Sequence, residues 1–414
     1  MDPDRVMRPR PGRVNTLPVE LLQMILEFLP DVTSLHAAVS CSLFYHGFLN
    51  AEKTITTRVL MNQIDFNEVL PEAIMSSESA LLPRFGPENL EAGSGHELIS
   101  GFVARNLQQR AIPPRQWSLR RALRVSRLHF YVDALAKKFV DAAFTKAPLN
   151  QSSHPVTHQE ICRIQRALYR FETYCNLFWV GRKLGRQFSA DLSPIYDEQR
   201  ALFFAHFHPC ETEQLGCIHD FLVQAISPAP IEIVGHDILW GVCNVEYIDY
   251  SLPSPYSQYF LSLGVKKLYG ISSTEGHKEW YRGLDDNNLL KLRNNFLFEA
   301  LLQYDNVPTD VSLDEMTRED EKSHIKQPFF DDPDPGPVDA WRWAHWKDIR
   351  ANWVYQEYHE ELREWGYVIW DRSRLETVGI FRQDYEEYEE TSVRCKLLLD
   401  NREARKQFYY LQNS

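Results

Sequence analysis

The chain has 414 residues, of which 44% are hydrophobic and 25% charged, a composition typical of a globular protein of two or three domains. Its net charge of −12 opposes binding to nucleic acid and to anionic membranes, because the field of the whole molecule repels other polyanions. No run of about 18 apolar residues occurs, so the sequence predicts no membrane-spanning helix. Seven cysteines, an odd number, are typical of free thiols in a reducing compartment. We therefore expect an intracellular protein, in the cytoplasm or the nucleus.

The first predicted helix runs from Pro18 to Leu29. Proline suits the first turn of a helix, and the following Glu20 favours its positive end. Only Glu20, Gln23 and Glu27 are polar in the eleven residues after Pro18, and they fall on one narrow side. A helix that is apolar over so much of its circumference must be buried on more than one side. Because a unit of about fifty residues buries little surface by itself, we expect this helix to meet either the rest of the chain or another protein.

The most specific pattern in the chain lies within residues 15–64, which we expect to form a small helical domain. The pattern consists of Leu17-Pro18, Glu20-Leu21-Leu22, Ile25-Leu26 and Leu29, followed by Asp31, Leu35 and Val39-Ser40-Cys41. It resembles the F-box. Where that family often has a basic residue and Trp, this chain has Leu43-Phe44-Tyr45-His46, which is similar to a variant common in fungal F-box proteins.

The resemblance implies a mechanism based on proximity. An F-box docks on the Skp adaptor, which bridges to a cullin scaffold and its ring-finger subunit, while the rest of the chain holds a protein substrate for ubiquitin transfer by a separate enzyme. Such a subunit needs no catalytic residue, metal or cofactor of its own, and its protein substrate is unknown. The residues that the resemblance assigns to the adaptor contact are Leu17, Pro18, Leu21, Leu22, Ile25, Leu26 and Leu29.

Two other interpretations stay open. In one, the protein is an α-helical interaction scaffold without ligase function, whose N-terminus either binds the Skp adaptor or forms a plain helical hairpin packed on the C-terminal body. An enzyme with an unrecognised site is the third interpretation, although the sequence contains no nucleophile elbow, P-loop, dinucleotide-binding or zinc-protease motif.

The rest of the chain predicts an irregular, larger α-helical body, so the fold class is expected to be all-α. Residues 1–14 are expected to be a disordered N-terminus, and the Gly- and Pro-containing stretch 76–96 a linker loop. The body is expected to cover 97–414. Within it, residues 308–337 are rich in Asp and Pro, which predicts a flexible surface loop.

Local signals place several elements of that body. Leucines and other apolar residues recur at helical spacing over Ser118–Phe144, and Thr157 with Glu160 forms the capping box of a second helix. One short strand is predicted over Ile231–Val234. Six of the ten tryptophans lie in the C-terminal part, where such clusters are more often core than a ligand groove; they are residues 341, 343, 346, 353, 365 and 370.

A basic segment stands out in this acidic chain. Between residues 105 and 138 there are nine Lys or Arg and one acid, and Arg120, Arg121, Arg124 and Arg127 follow one another along the predicted helix. Guanidinium groups pair well with phosphate and carboxylate, so the row is a candidate patch for an acidic or phosphorylated substrate. The alternatives are a solvated helix face, or neutralisation by the acidic C-terminal half of the chain.

Zinc is considered for one cluster and disfavoured. His206, His208, Cys210, Cys217 and His219 supply the right ligand types within fourteen residues, but their spacing fits no zinc motif. The segment from Gln214 to Ile226 also has a helical apolar stripe, so the sequence predicts a structural helix junction and no metal.

Overall fold

The computed structural model describes residues 17–82, 94–108, 116–178, 199–226, 255–273, 296–302, 312–326, 328–347, 354–356, 359–382, 384–385 and 387–388. It contains α-helices and no β-strand in these ranges, which confirms the all-α class. In chain order the helices are α1 (Val19–Glu27), α2 (Val32–Ala38), α3 (Ser42–Leu49), α4 (Glu52–Gln63), α5 (Leu70–Ser79), α6 (Ser94–Val103), α7 (Leu119–Ala143), α8 (His158–Leu177), α9 (Pro209–Ile226), α10 (Pro255–Leu261), α11 (Val265–Ser272), α12 (Phe296–Leu302), α13 (Arg318–His324), α14 (Gly336–Ala344), α15 (Glu360–Trp365) and α16 (Arg372–Thr377).

Several sequence predictions fall outside the described residues: the disordered N-terminus at 1–14, the strand over Ile231–Val234 and the tryptophan at 353. Among the helices that are described, none is both long and apolar enough to cross a membrane.

The chain divides into two compact units. Unit 1 comprises Met1–Ser77 and Ile112–Phe130, and unit 2 comprises Glu78–Ala111 and Tyr131–Ser414. The small unit is therefore larger than the predicted domain at 15–64, and it takes from the predicted body a segment that is distant in sequence. The boundary falls within the continuous helix α7.

Unit 1 is built around α1 to α4, whose inner sides form its core. Asp31 caps α2 by accepting a hydrogen bond from the Ser34 N–H at 2.7 Å. The buried core residues of these helices are Leu22, Leu26, Val32, Leu35, Phe48, Ile55, Val59 and Leu60.

Two hydrogen bonds explain why the start of α7 belongs to unit 1. The Thr57 hydroxyl on α4 accepts a hydrogen bond from the Trp117 N–H at 3.1 Å, and the Glu52 carboxylate accepts one from the Leu119 N–H at 3.0 Å. The Glu52 carboxylate thereby satisfies one of the free N–H groups at the N-terminus of α7. Trp117 itself is buried.

The predicted linker at 76–96 differs from the structure at both ends. α5 continues to Ser79, and α6 begins at Ser94. The described residues between them are those up to Leu82.

Unit 2 is centred on the pair α8 and α9, with α15 packed on α9. The predicted capping box of α8 is present: the Thr157 hydroxyl accepts from the Glu160 N–H, and the Glu160 carboxylate accepts from the Thr157 N–H. The same buried Glu160 carboxylate accepts two hydrogen bonds from Arg374, both at 2.7 Å. A local capping signal therefore also anchors α16 to the start of α8.

The expectation of a flexible surface loop over 308–337 needs correction. Helix α13 lies inside this range, and the Asp332 carboxylate accepts hydrogen bonds from Arg163 Nε at 2.7 Å and from Arg166 Nη2 at 3.0 Å. Phe330 is buried, and the guanidinium of Arg166 lies 3.7 Å from its ring centroid. In this part of the segment, Asp332 is therefore a partly buried ion-pair partner of two arginines on α8.

Candidate functional site

Helix α1 has apolar side chains on two opposite sides, and only one of them is buried. Leu22 and Leu26 face the core of unit 1, with 4% and 0% exposure. On the other side, Leu21, Met24, Ile25 and Phe28 are 42%, 51%, 44% and 77% exposed. These four residues, which we call the α1 outer stripe, have the i, i+3, i+4, i+7 spacing of a single helix face.

Neighbouring helices fix the orientation of α1. The Gln23 side-chain amide donates to the Gly47 carbonyl on α3 at 2.9 Å, and the Asn62 amide on α4 donates to the Glu27 and Leu29 carbonyls at 2.8 and 3.1 Å. With its core side held by α3 and α4, the helix presents the α1 outer stripe to its surroundings.

The predicted adaptor residues fall into three groups. Leu21 and Ile25 lie on the α1 outer stripe, and Pro18 is exposed at the N-cap, whereas Leu17 and Leu29 are half-buried. Leu22 and Leu26 belong to the core of unit 1, so their assignment to a partner contact is corrected. The F-box resemblance identifies apolar positions, but it does not distinguish core residues of the domain from residues that face outward.

Met24 and Phe28 are members of the α1 outer stripe that the sequence reasoning did not single out. The signal was present, since they follow Leu21 by three and seven residues. Further exposed apolar side chains occur on α3, at Tyr45 and Leu49. An exposed apolar surface of this kind is typical of a site for protein–protein contact.

The predicted arginine patch is part of unit 1. All four arginines lie on α7, where Arg120, Arg124 and Arg127 are exposed and Arg121 is half-buried. The guanidinium of Arg121 lies 4.8 Å from the centroid of the Trp117 ring. The outward patch therefore consists of three arginines, and the fourth packs on a buried aromatic residue.

The residues considered for zinc have structural contacts instead. His208 Nδ1 accepts a hydrogen bond from the Cys210 N–H at 3.1 Å at the start of α9. Burial raises the pKa of the Cys210 and Cys217 thiols well above the usual value, which opposes the thiolate form that binds a metal. Among the described residues, no group of three or more His, Cys, Asp or Glu side chains is arranged to hold a metal ion. Helix α9 starts at Pro209, earlier than the predicted Gln214.

Unit 2 contains a buried chain of titratable side chains. The Tyr355 hydroxyl donates to Asp220 Oδ1 at 2.5 Å and lies 2.9 Å from His219 Nδ1, while His219 Nε2 lies 2.7 Å from Gln258 Nε2. Burial alone would raise the pKa of the Asp220 carboxyl. The charge of Arg363, whose Nε lies 2.6 Å away, and the hydrogen bonds with His219 and Tyr355 together outweigh burial and give a pKa of about 2. Tyrosine, histidine and aspartate are side chains that can transfer protons in a catalytic site. Here, however, Asp220 forms an ion pair with the buried Arg363, so we interpret the cluster as structural.

The tryptophan cluster is mainly core, as predicted. Trp341, Trp343, Trp365 and Trp370 are buried in unit 2, and the Trp370 indole N–H donates to the Trp365 carbonyl at 2.8 Å. Trp346 is an exception, because 43% of it is exposed.

Comparison with known proteins adds no relative. No protein-family model, no curated protein and no solved structure matches the chain.

Proposed function

We propose that this protein is an F-box-type subunit that recruits an unknown protein to a Skp-cullin ubiquitin ligase. The observation that carries the proposal is the α1 outer stripe, an apolar face that lies within the same residues that resemble the F-box. Helix α1 has its core contacts on the opposite side, so the outward face is available for an adaptor. Unit 2, with its buried charges and tryptophans, would be the body that holds the substrate.

The expected affinity contribution follows from the exposure of the stripe. Fully burying one large apolar side chain contributes about 1.5–3 kcal/mol. Since Leu21 and Ile25 are already more than half buried in the free chain, covering each would contribute about 1 kcal/mol. The double substitution Leu21→Ala with Ile25→Ala should therefore weaken adaptor binding about thirtyfold.

The test is co-expression of the full chain with the Skp adaptor, followed by purification and titration calorimetry. The wild-type chain should retain the adaptor, and the Leu21→Ala/Ile25→Ala variant should lose it while unfolding at the wild-type temperature. A matched control is Leu81→Ala with Leu98→Ala, because both side chains are exposed and lie outside the stripe. If the wild type does not retain the adaptor, or if both double variants lose it equally, the docking proposal fails.

A second measurement, of cullin association, distinguishes a ubiquitin-ligase subunit from a scaffold without ligase function. Association of the adaptor-bound chain with a cullin, together with a protein that accumulates when the α1 outer stripe is mutated, would support ubiquitin-ligase function. Adaptor binding without cullin association would support the scaffold interpretation.

A further inference from the structure

Three arginines on α7 form a second outward surface of unit 1. Arg120, Arg124 and Arg127, which we call the α7 arginine row, are spaced four and three residues apart and therefore lie on one side of the helix. All three are exposed, and within the described residues none of them forms an ion pair or a side-chain hydrogen bond. Their charge is therefore directed to solvent.

The surroundings strengthen the positive potential of this surface. The first turn of α7 contains Arg120 but no acidic residue, so its charge adds to the positive end of the helix dipole. One carboxylate, that of Glu52, accepts a hydrogen bond from the Leu119 N–H and offsets part of this charge.

An apolar edge runs beside the arginines. Leu123 precedes Arg127 by one turn and is half-buried, and Phe130 follows Arg127 by three residues with 57% of its surface exposed. The same helix face therefore offers cations at its start and an aromatic ring at its end.

We propose that this face of α7 binds an acidic segment of another protein, with carboxylates on the α7 arginine row and an apolar side chain against Phe130. A protein segment with two or three carboxylates fits better than nucleic acid, because nucleic acid carries a negative charge on every nucleotide and is repelled more strongly by the chain's net charge of −12. That the acidic segment belongs to the recruited protein rests on the proposed function. That this face of α7 binds an acidic segment does not depend on it.

Helix geometry sets the length of the segment. From Arg120 to Phe130 the axis of α7 rises about 15 Å, which an extended peptide of about five residues spans. Side chains two residues apart in such a peptide lie on one side at about 7 Å, close to the rise of about 6 Å between Arg120 and Arg124. Two or three glutamates at alternate positions, followed by a leucine, therefore match the surface.

The experiment uses the full-length protein and a fluorescein-labelled peptide of twelve residues. The peptide carries glutamate at alternate positions and one terminal leucine, with serine and glycine between them, and its reversed sequence is measured as well. Fluorescence anisotropy should show saturable binding of one of the two peptides, the forward or the reversed sequence, at about 50 mM NaCl. The same peptide should bind several-fold more weakly at about 200 mM NaCl, because salt screens exposed charges. The triple reversal of Arg120, Arg124 and Arg127 to Glu should weaken binding at least about tenfold.

Two further variants separate the contributions. Phe130→Ala should weaken peptide binding about threefold or more, since the leucine loses its apolar contact. A control variant with the same change of net charge reverses three exposed cations elsewhere, Lys266, Lys322 and Arg382, to Glu and should bind like the wild type. If the triple reversal of the row does not fold, replacement of the same three arginines by Gln serves instead.

The inference is wrong if neither peptide binds, if the row and the control variants lose binding equally, or if the row variant binds undiminished. Tighter binding of a single-stranded RNA of equal charge, lost in the row variant, would identify a nucleic-acid surface and would also overturn it. Adaptor retention is measured on the same proteins. Because the row variants should keep the adaptor and the Leu21→Ala/Ile25→Ala variant should keep the peptide, failure of one proposal leaves the other testable.

Discussion

The partly buried carboxylate of Asp332 is predicted to hold the Asp- and Pro-rich segment on unit 2. It accepts hydrogen bonds from Arg163 Nε and Nη2 at 2.7 and 2.8 Å and from Arg166 Nη2 at 3.0 Å. Asp332→Asn keeps the shape of the side chain but removes its charge, leaving two guanidinium groups on α8 with less compensation. The Asp- and Pro-rich composition predicts a flexible loop that a protease cuts first. The ion pairs of Asp332 predict instead that this segment is protected in the wild type.

The size of the effect follows from the geometry. Removing one partner of a buried ion pair costs about 3–5 kcal/mol. Arg163 retains a second carboxylate, that of Asp371 at 2.6 Å, and the Asp332 side chain is itself 16% exposed, so we expect about 3 kcal/mol. For a unit of this size that corresponds to a fall of about 6 °C in the unfolding temperature.

The assay combines thermal unfolding, followed by tryptophan fluorescence, with limited proteolysis. Asp331→Asn is the matched control, because the neighbouring Asp331 is exposed. We expect wild type and control to be protected over residues 328–337, and Asp332→Asn to be cut there first. Early cleavage of this segment in the wild type, or equal unfolding temperatures for the two variants, would refute the reasoning.

The same carboxylate predicts a pH dependence with a defined sign. Burial alone would raise the pKa of Asp332, but its hydrogen bonds with Arg163 and the charge of that arginine outweigh burial and hold the pKa below its usual value of 3.8. A carboxyl whose pKa is lower in the folded protein stabilises the fold above its unfolded pKa and loses this contribution as the pH falls through the folded pKa. The difference between wild type and Asp332→Asn should therefore be constant above about pH 5 and shrink below about pH 4.

Further predictions concern unit 2. Gly366 has φ of 71° and a Cβ there would lie 2.7 Å from Phe139 Cζ, so Gly366→Ala should lower the free energy of unfolding by about 1–3 kcal/mol. Gly270→Ala, on α11 with nothing within 4 Å of its Cβ position, should instead raise it by about 0.5–1 kcal/mol in denaturant titrations; equal effects would contradict both assignments. Burial lowers the pKa of His208 to about 4, so the unfolded chain takes up a proton between pH 6.5 and 4 that the folded chain does not. Stability should fall as the pH falls through this window, and His208→Asn should reduce the slope; an unchanged slope would exclude His208 as its source.

Predictions from the sequence succeed where the signal is local. The capping box of Thr157 and Glu160 depends on side chains three residues from the groups they satisfy, and it is present. The tryptophan cluster was predicted to be mainly core, and four of its members are buried although Trp346 is 43% exposed. Such signals do not depend on where distant segments of the chain lie.

Predictions fail where the partner is distant in sequence. Asp332 is read as solvated because a lone carboxylate is costly to bury, and its partner Arg163 lies 169 residues earlier on a helix that is buried on nearly all sides. For α1 the pattern shows that the helix is apolar on two sides. It does not show which side faces the core, because α3 and α4 decide that through Gly47 and Asn62. The sequence therefore predicted the helix of the site and two of its outward residues, Leu21 and Ile25, but it also assigned the buried Leu22 and Leu26 to the partner contact.

The two units differ in whether their charged and apolar side chains have partners within the chain. In unit 2, the guanidinium groups of Arg163, Arg363 and Arg374 are buried, and each is paired with carboxylates, so their charge is balanced inside the chain. In unit 1, the α1 outer stripe and the α7 arginine row lie in solvent, where neither the apolar surface nor the charge has a balancing partner among the described residues. A partner gains binding free energy only from groups that the chain has not already satisfied. Substitutions on the two surfaces of unit 1 should therefore change binding with little effect on the unfolding temperature, whereas substitutions in the buried pairs of unit 2 should do the reverse.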